Sequence, residues 1–191
     1  MRRILTTLLL VVAIAVSAEE HMMFMGVPID GDLNAFCRTL EKKDMRQSKK
    51  TANTARYEGF FAGRPAYVIV ETTPKTHTVC DVLVAFKELN NWDDMEGVYN
   101  DLKTNLIAEF GEPVETKEQG ESPQYGFDIQ TLLKDAEVIR RCRFETETGT
   151  IDLGIDNLRL FASSSGSPYT YLVYTDKTNI IKAGQEAGED L

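Results

Sequence analysis

The hydrophobic pattern of the chain begins with an almost uninterrupted apolar run over residues 4–16. Arg2 and Arg3 precede this run, and residues 16–18, Val-Ser-Ala, supply the small residues of a cleavage site. The run is shorter than the roughly 20 apolar residues of a membrane-spanning helix. The pattern predicts a secretory signal peptide over residues 1–18, cleaved after Ala18. We therefore expect an exported protein, periplasmic or extracellular, without a stable membrane anchor.

Two later segments space their apolar residues three and four positions apart, as amphipathic helices do. The first helix follows Asp30 or Asp32, either of which can cap it. The second follows Asn90 or Asn91 and ends at Gly111. The predicted buried faces comprise Leu33, Phe36, Cys37 and Leu40 in the first helix, and Met95, Val98, Tyr99, Leu102, Leu106 and Phe110 in the second.

Three strands are predicted between these helices, at 57–62, 65–73 and 77–86. Pairing Thr73 with His77 brings the apolar residues of all three strands to one face, which favours this register over one shifted by a single residue. The predicted core face comprises Tyr57, Phe61, Val68, Val70, Cys80, Val82, Val84 and Phe86.

A second hairpin is predicted after the second helix, with its turn at Thr148-Gly149 and with Glu147 opposite Thr150. One face then carries Cys142, Phe144, Thr146, Ile151, Leu153 and Ile155. The other face carries Arg141, Arg143, Glu145, Asp152 and Asp156. A last strand, rich in tyrosine, is predicted at 169–175.

The remaining segments are polar or ambiguous. Residues 44–54 and 112–126 lack periodicity and predict exposed connections. Residues 127–134 are compatible with either a short helix or a strand, and the acidic, glycine-containing tail from Lys182 is expected to fray. The order of elements, helix, three strands, helix, three strands, predicts an α+β fold built from tandem α-β-β-β repeats, with helices packed on antiparallel sheet. The expected units are 19–89 and 90–181, followed by a flexible acidic tail at 182–191.

Two stretches resemble a known group of proteins. Residues 24–31, FMGVPIDG, lead into the first helix, and Trp92, Tyr99 and Leu102 precede residues 110–113, FGEP, at the end of the second. Together they resemble small exported proteins of Gram-negative gut bacteria with a PepSY-like, β-lactamase-inhibitor-protein-like fold. The resemblance implies that fold and a secreted, non-enzymatic binding habit. It supplies no ligand and no inhibitory contact residue, and the chain lacks the lipobox of related envelope-assembly lipoproteins.

The net charge and the cysteine spacing limit the kinds of partner and of cysteine site that we expect. The formal net charge of −9 becomes −11 once the leader with Arg2 and Arg3 is removed. That balance argues against nucleic acid, which proteins hold mainly through Lys and Arg. Cys37, Cys80 and Cys142 match no zinc spacing. We interpret them as buried small side chains, with a Cys80–Cys142 disulfide as the alternative and a reactive thiol as a remote one.

Catalytic chemistry finds little support in the sequence. The serine cluster at 163–167 has no Gly-x-Ser-x-Gly context, and His77 follows a Pro-containing turn where we expect it to face solvent. Asp152 and Asp156 lie beside arginines, as on a salt-bridged sheet face. The acidic pairs at 30–32 and 93–94 lack EF-hand spacing and suit helix capping. No catalytic residue, metal or cofactor is therefore predicted.

The sheet face opposite the predicted core carries more apolar residues than a solvated face needs. With the chosen register it holds Phe60, Tyr67, Ile69 and Leu83. Either another part of the chain covers these residues or they form an exposed aromatic patch that binds a partner. We predict Phe60, Tyr67, Ile69 and Leu83 as binding residues, with Arg141 and Arg143 as a secondary charged patch. Tyr169, Tyr171 and Tyr174 extend the patch, two on one face and one on the other.

The sequence thus predicts an exported, non-catalytic protein that recognises a protein or peptide through a sheet face. One alternative is a small exported hydrolase or carbohydrate-active enzyme that uses two carboxylates with separated pKa values in one cleft. Another is an accessory factor of envelope assembly, whose deletion should alter the levels of outer-membrane proteins.

Overall fold

The structure is a computed structural model that describes residues 20–87, 91–123, 128–158, 160 and 166–188. The predicted signal peptide and its cleavage site lie outside the described residues. So do Asn90, residues 163–165 of the serine cluster, and residues 189–191 of the tail. Within the described ranges, no helix has the length and apolar character needed to cross a bilayer.

Eight strands form one antiparallel sheet, and two short strands form a separate hairpin. The hairpin comprises β1 (Met23–Phe24) and β2 (Val27–Pro28). The sheet strands are β3 (Arg46–Lys50), β4 (Thr54–Phe61), β5 (Arg64–Thr72), β6 (Val79–Phe86), β7 (Glu115–Gln119), β8 (Ile139–Glu145), β9 (Gly149–Leu158) and β10 (Ser167–Asp176). Their spatial order is β3-β4-β5-β6-β10-β9-β8-β7, so β6 and β10 join the two halves of the chain at the centre of one continuous sheet.

The described part of the chain forms four helices beside the sheet: α1 (Leu33–Glu41), α2 (Trp92–Phe110), α3 (Ile129–Lys134) and α4 (Lys177–Gly188). The choice of caps is resolved, since the Asp32 carboxylate accepts from the backbone N–H of Asn34 at 2.8 Å and the Asn91 side chain accepts from Asp94 at 2.8 Å. Gly111, with φ +85°, ends α2 as predicted, because a residue without Cβ adopts that conformation at little cost. The ambiguous segment 127–134 contains a short helix, α3.

The main core lies between one face of the sheet and the helices. The predicted helix faces are confirmed, since Leu33, Phe36, Cys37 and Leu40 of α1 and five of the six α2 residues are buried. Phe110, at the last position of α2, is the exception and is 38% exposed. The sheet supplies the opposite side of this core through Tyr57, Val68, Val70, Val82, Val84, Phe86, Phe144, Ile151, Leu153, Ile155 and Leu172.

The predicted register of β5 and β6 is wrong by two residues, but its faces are right. Val70 pairs with Val82, whereas the predicted Thr73–His77 pairing would place it opposite Cys80. A shift of two residues returns every side chain to the same face, so the core assignment survives. The core assignment differs at one position. The pairing is irregular between Glu71 and Thr72, so Thr72 pairs with Val79. Val79 therefore lies in the main core, where Cys80 was predicted.

The predicted register of the second hairpin is also wrong by two residues, and its faces are again right. Glu145, rather than Glu147, pairs with Thr150, because the chain turns earlier. The Thr146 N–H donates to the Gly149 carbonyl at 2.8 Å, and the Gly149 N–H donates to the Thr146 hydroxyl at 3.0 Å. Cys142 and Phe144 still face the core, and the arginines still face the other side.

Both segments predicted as polar connections contain edge strands instead. β3 and β7 lie at opposite edges of the sheet, and every residue in them is exposed. An edge strand with both faces in solvent needs no apolar alternation, and charged residues there discourage pairing with other chains. α1 and α2 are consequently each followed by four strands rather than the predicted three.

The two ends of the described chain are anchored to each other, contrary to the expectation that the tail from Lys182 frays. The fully buried Asp176 carboxylate accepts from His21 Nδ1 at 3.0 Å and from the Met22 N–H at 2.9 Å. It also caps α4 by accepting from the Asn179 N–H at 2.9 Å. Near the other end of this helix, Glu186 accepts from the Lys75 N–H at 2.8 Å in the β5–β6 turn. The segment 177–188 is therefore a docked helix.

The three cysteines are free and buried, as the primary interpretation expects. Cys80 on β6 and Cys142 on β8 are separated by β10 and β9, three strand spacings or about 14 Å. A disulfide requires Cα atoms within about 7 Å, so this pair is not bridged. Burial raises the pKa of the Cys80 thiol to about 12, which leaves little nucleophilic thiolate at neutral pH.

Candidate functional site: the open face of the sheet

The described residues cover the sheet face opposite the main core only in part, and we call this face the open face. Strand alternation and the observed register define its members. They include Arg56 and Phe60 on β4, Tyr67, Ile69 and Glu71 on β5, Asp81, Leu83 and Ala85 on β6, Tyr169, Tyr171, Val173 and Thr175 on β10, Asp152, Gly154 and Asp156 on β9, and Arg141 and Arg143 on β8.

Four predicted binding residues lie together on the first half of this face but differ in accessibility. Ile69 is only 8% exposed, because Leu160 and the partly buried Leu158 pack on it and on Ala85 in a second, small apolar cluster. Leu83 is half-buried against the same cluster. Phe60, near the end of β4, is 67% exposed. Leu158, at the end of β9, and Leu160 therefore cover the Ile69 part of the predicted patch, while Phe60 is exposed.

Tyr67 is held in place by its neighbours. Its ring meets Tyr169 edge-to-face, with ring centroids 6.4 Å apart, and Lys87 Nζ lies 4.5 Å from the Tyr67 ring centroid. Lys87 is itself fixed by Glu58 at 3.1 Å. Tyr67 therefore lies between the small apolar cluster and the ion pair that Lys87 forms with Glu58 on β4. Tyr169 and Tyr171 face the open side, while Tyr174 contacts Phe24 in the core, which confirms the predicted split of these tyrosines.

Arg141 and Arg143 lie on the second half of the open face, where each is paired across strands. Arg143 Nε lies 2.7 Å from an Asp152 oxygen, and Arg141 pairs with Asp156. Both guanidinium groups remain about half exposed. The predicted charged patch is therefore present, but its charges are largely neutralised by adjacent carboxylates.

Tyr171 lies between this charged half and the centre of the sheet. Its Cα partner on β9 is Gly154, and a Cβ at that glycine would lie 2.8 Å from the Tyr171 hydroxyl oxygen. The tyrosine ring therefore lies across the glycine backbone. A glycine in the interior of a strand often marks such a close approach, so Gly154 explains how Tyr171, already predicted to extend the patch, packs against β9.

Two adjoining depressions shape the open face. A charged depression of about 560 Å³ is lined by Lys117, Arg141, Arg143, Asp152 and Tyr171, among others. An apolar depression of about 420 Å³ is lined chiefly by Ile69, Leu83, Leu158 and Leu160, with Arg56 and Glu71. Asp81 and Val173 line both depressions, so they mark the centre of the site. Phe60 and Tyr67 line neither depression.

Asp81 was not singled out by the sequence, yet it has the most unusual environment on this face. Burial and the negative charge of Glu71, its cross-strand partner, raise the pKa of Asp81 to about 7, and Asp152 adds to this effect. One hydrogen bond opposes it, donated by the Thr175 hydroxyl at 3.3 Å. The carboxyl therefore changes charge near neutral pH.

The described residues contain no cluster of three His, Cys, Asp or Glu side chains arranged to hold a metal ion. Comparison with protein-family models, with curated proteins and with solved structures gives no match. The open face combines apolar surface, aromatic rings and cross-strand charges around a carboxyl group whose pKa is raised.

Proposed function

We propose that this protein is an exported, non-catalytic binding protein that recognises a protein or peptide through the open face. The observation that carries the proposal is the pair of depressions that meet at Asp81, on a sheet face that no helix of the described residues covers. Apolar, aromatic and arginine side chains line them, and these residue types dominate binding energy at protein interfaces. Export rests on the predicted signal peptide over residues 1–18.

The proposed fold family is the β-lactamase-inhibitor-protein-like, PepSY-like one. Its support is the order of elements, since α1 precedes β3–β6 and α2 precedes β7–β10. The two sets of four strands lie side by side in one sheet, as two repeats sharing a sheet would. The support concerns architecture alone and adds no ligand.

Binding through the open face is tested by capture from envelope extract and culture medium. The baits are the parent protein, an open-face variant, Arg141→Gln/Arg143→Gln, and a matched control, Lys42→Gln/Lys43→Gln. The control removes the same charge from exposed positions after α1, away from the open face. We expect a protein captured by the parent and the control and lost from the open-face variant. Equal capture by all three baits would contradict the proposal.

The apolar part of the site needs a separate pair of variants. Phe60→Ser removes an exposed predicted anchor, and Ile181→Ser removes a side chain of comparable exposure, 55%, from α4. Both should fold normally, since neither side chain is buried. Loss of capture with Phe60→Ser alone would place the anchor at the end of β4. Retention with both would restrict the site to the two depressions.

A small exported hydrolase remains the second candidate, because one observation favours it. Asp81 has a raised pKa and lies opposite Glu71 in the same depression, the kind of carboxyl pair that supplies a general acid and a base. Turnover of chromogenic glycosides and esters that disappears in Asp81→Asn would establish this function. Absence of turnover across such a panel would dismiss it.

A further inference from the structure

Two carboxylates without a cationic partner face each other at the centre of the open face. Glu71 on β5 and Asp81 on β6 are direct cross-strand partners. The neighbouring acids differ, because Asp152 is paired with Arg143 and Asp156 with Arg141. Among the described residues, neither Glu71 nor Asp81 forms an ion pair within 4.0 Å.

This arrangement is unfavourable for the protein on its own. Like charges directly opposite each other destabilise a sheet, and Asp81 is largely removed from water. The single hydrogen bond from Thr175 satisfies only part of its capacity as an acceptor. A cation supplied from outside the chain would relieve both costs.

The surroundings indicate what kind of cation fits. Val173 and Leu83 lie beside Asp81, and Ile69, Leu158 and Leu160 complete the apolar wall. A long basic side chain matches such a site, because its aliphatic stem packs on apolar surface while its charged end reaches a carboxylate. A hydrated metal ion would gain nothing from the apolar wall.

We propose that the open face binds a polypeptide partner by taking one of its Lys or Arg side chains into the apolar depression, with the charged end between Glu71 and Asp81. This inference rests on the proposed function and names the chemistry of its partner. It also gives the complex a pH dependence. Asp81 is faced by Glu71 from β5, by Asp152 with its partner Arg143 from β9 and β8, and by Arg56 on β4 across the same depression. Its ionisation above about pH 7 strengthens the attraction for the cation.

A peptide selection tests the inference with a defined probe. Random 12-residue peptides displayed on phage are selected at pH 8 on protein purified from cells expressing the full 191-residue chain. We expect the selected peptides to share a Lys or Arg flanked by apolar residues. Asp81→Asn should weaken their binding about tenfold or more, as loss of a charge-assisted contact does. Asp93→Asn, the same change at an exposed position in the first turn of α2, away from both depressions, should leave it within twofold.

Two further measurements separate failure of this inference from failure of the proposed function. Affinity of the parent should fall several-fold from pH 8 to pH 6, and the Asp81→Asn variant, checked for folding by circular dichroism, should lose this dependence. Peptides without a basic residue, or insensitive to Asp81→Asn but weakened by Arg141→Gln/Arg143→Gln, would overturn the inference alone. Absence of selected peptides, or peptides insensitive to every open-face variant, would contradict both.

Discussion

The two faces of the eight-stranded sheet differ in the side chains that they carry and in how far they are covered. On β10, Leu172 is buried in the main core, while the adjacent Val173 lines both depressions of the open face. The core face is apolar and covered by helices. The open face carries a small apolar cluster, cross-strand ion pairs and an unpaired acidic centre. Strand alternation thus places residues that stabilise the core next to residues of the proposed recognition face.

The largest expected difference between the faces concerns stability. Leu172→Ala removes a fully packed side chain and should lower the free energy of unfolding by about 3 kcal/mol. Leu83→Ala, the same change at a half-buried position on the open face, should cost about 1 kcal/mol. Urea denaturation of the two variants measures this directly. Equal losses would mean that both faces contribute equally to the core.

The next expected difference concerns how the free energy of unfolding depends on pH, which we trace to Asp81 on the open face. The pKa of Asp81 in the folded protein, about 7, lies above the ordinary aspartate value of 3.8, so the folded protein keeps a proton that the unfolded chain releases. Its contribution to stability is therefore present below about pH 4 and is lost as pH rises to 7. Asp81→Asn cannot ionise and should be more stable than the parent at pH 8, by roughly 2 to 4 kcal/mol.

Denaturation of the parent and of Asp81→Asn at several pH values tests this. The difference in unfolding free energy between them should widen from pH 4 to pH 7 and then level off. A constant difference would show that Asp81 ionises as freely in the folded protein as in the unfolded chain.

Outside the two faces, the docking of α4 depends on Glu186. Burial opposes ionisation of this carboxylate, but hydrogen bonds from the Thr76 hydroxyl and from the N–H groups of Lys75 and Thr76 outweigh it and lower its pKa to about 2. The stabilisation should be complete above about pH 4.5 and lost as pH falls towards 2. Glu186→Gln should increase hydrogen exchange in the β5–β6 turn and in α4. Unchanged exchange there would show that other contacts hold the helix.

The smallest effect is expected for the charged half of the open face. Arg143 and Asp152 are partly exposed, and such pairs contribute about 0.2 to 1 kcal/mol to stability. A double-mutant cycle with Arg143→Gln and Asp152→Asn should give a coupling energy in that range, reduced by salt. A coupling energy of several kcal/mol would mean that this pair belongs to the folded core rather than to a recognition surface.

Sequence patterns identified the parts of this fold in which one side of an element meets the core. The stripes of α1 and α2 and the alternation in β4–β6, β8 and β9 each mark a buried face, so these elements and their faces were predictable. Their registers were not, because a shift by two residues leaves every face unchanged. β3 and β7 have no buried face and hence no pattern, and α4 docks through the polar residues Asn179 and Glu186.

The candidate site was predictable only in outline. The surplus of Phe60, Tyr67, Ile69 and Leu83 on one face pointed to the side of the sheet that carries the two depressions. Leu160 packs on Ile69, which is about 90 positions earlier in the chain, and no local sequence pattern predicts this contact. Asp81 lies at the centre of the open face because β6 is flanked by β5 and β10. The pairing of β6 with β10 brings Asp81 beside Thr175, about 90 positions later in the chain, and no local sequence pattern predicts such a pairing.

The most direct test of a recognition role for the open face is hydroxyl-radical footprinting of the protein alone and with its captured partner. Oxidation of Tyr171 and Leu83 should fall in the complex, while Ile181 on α4 and Phe110 on α2 should be oxidised equally in both states. Protection of Ile181 or Phe110, with Tyr171 and Leu83 unchanged, would place the interface on the helical side and contradict the account.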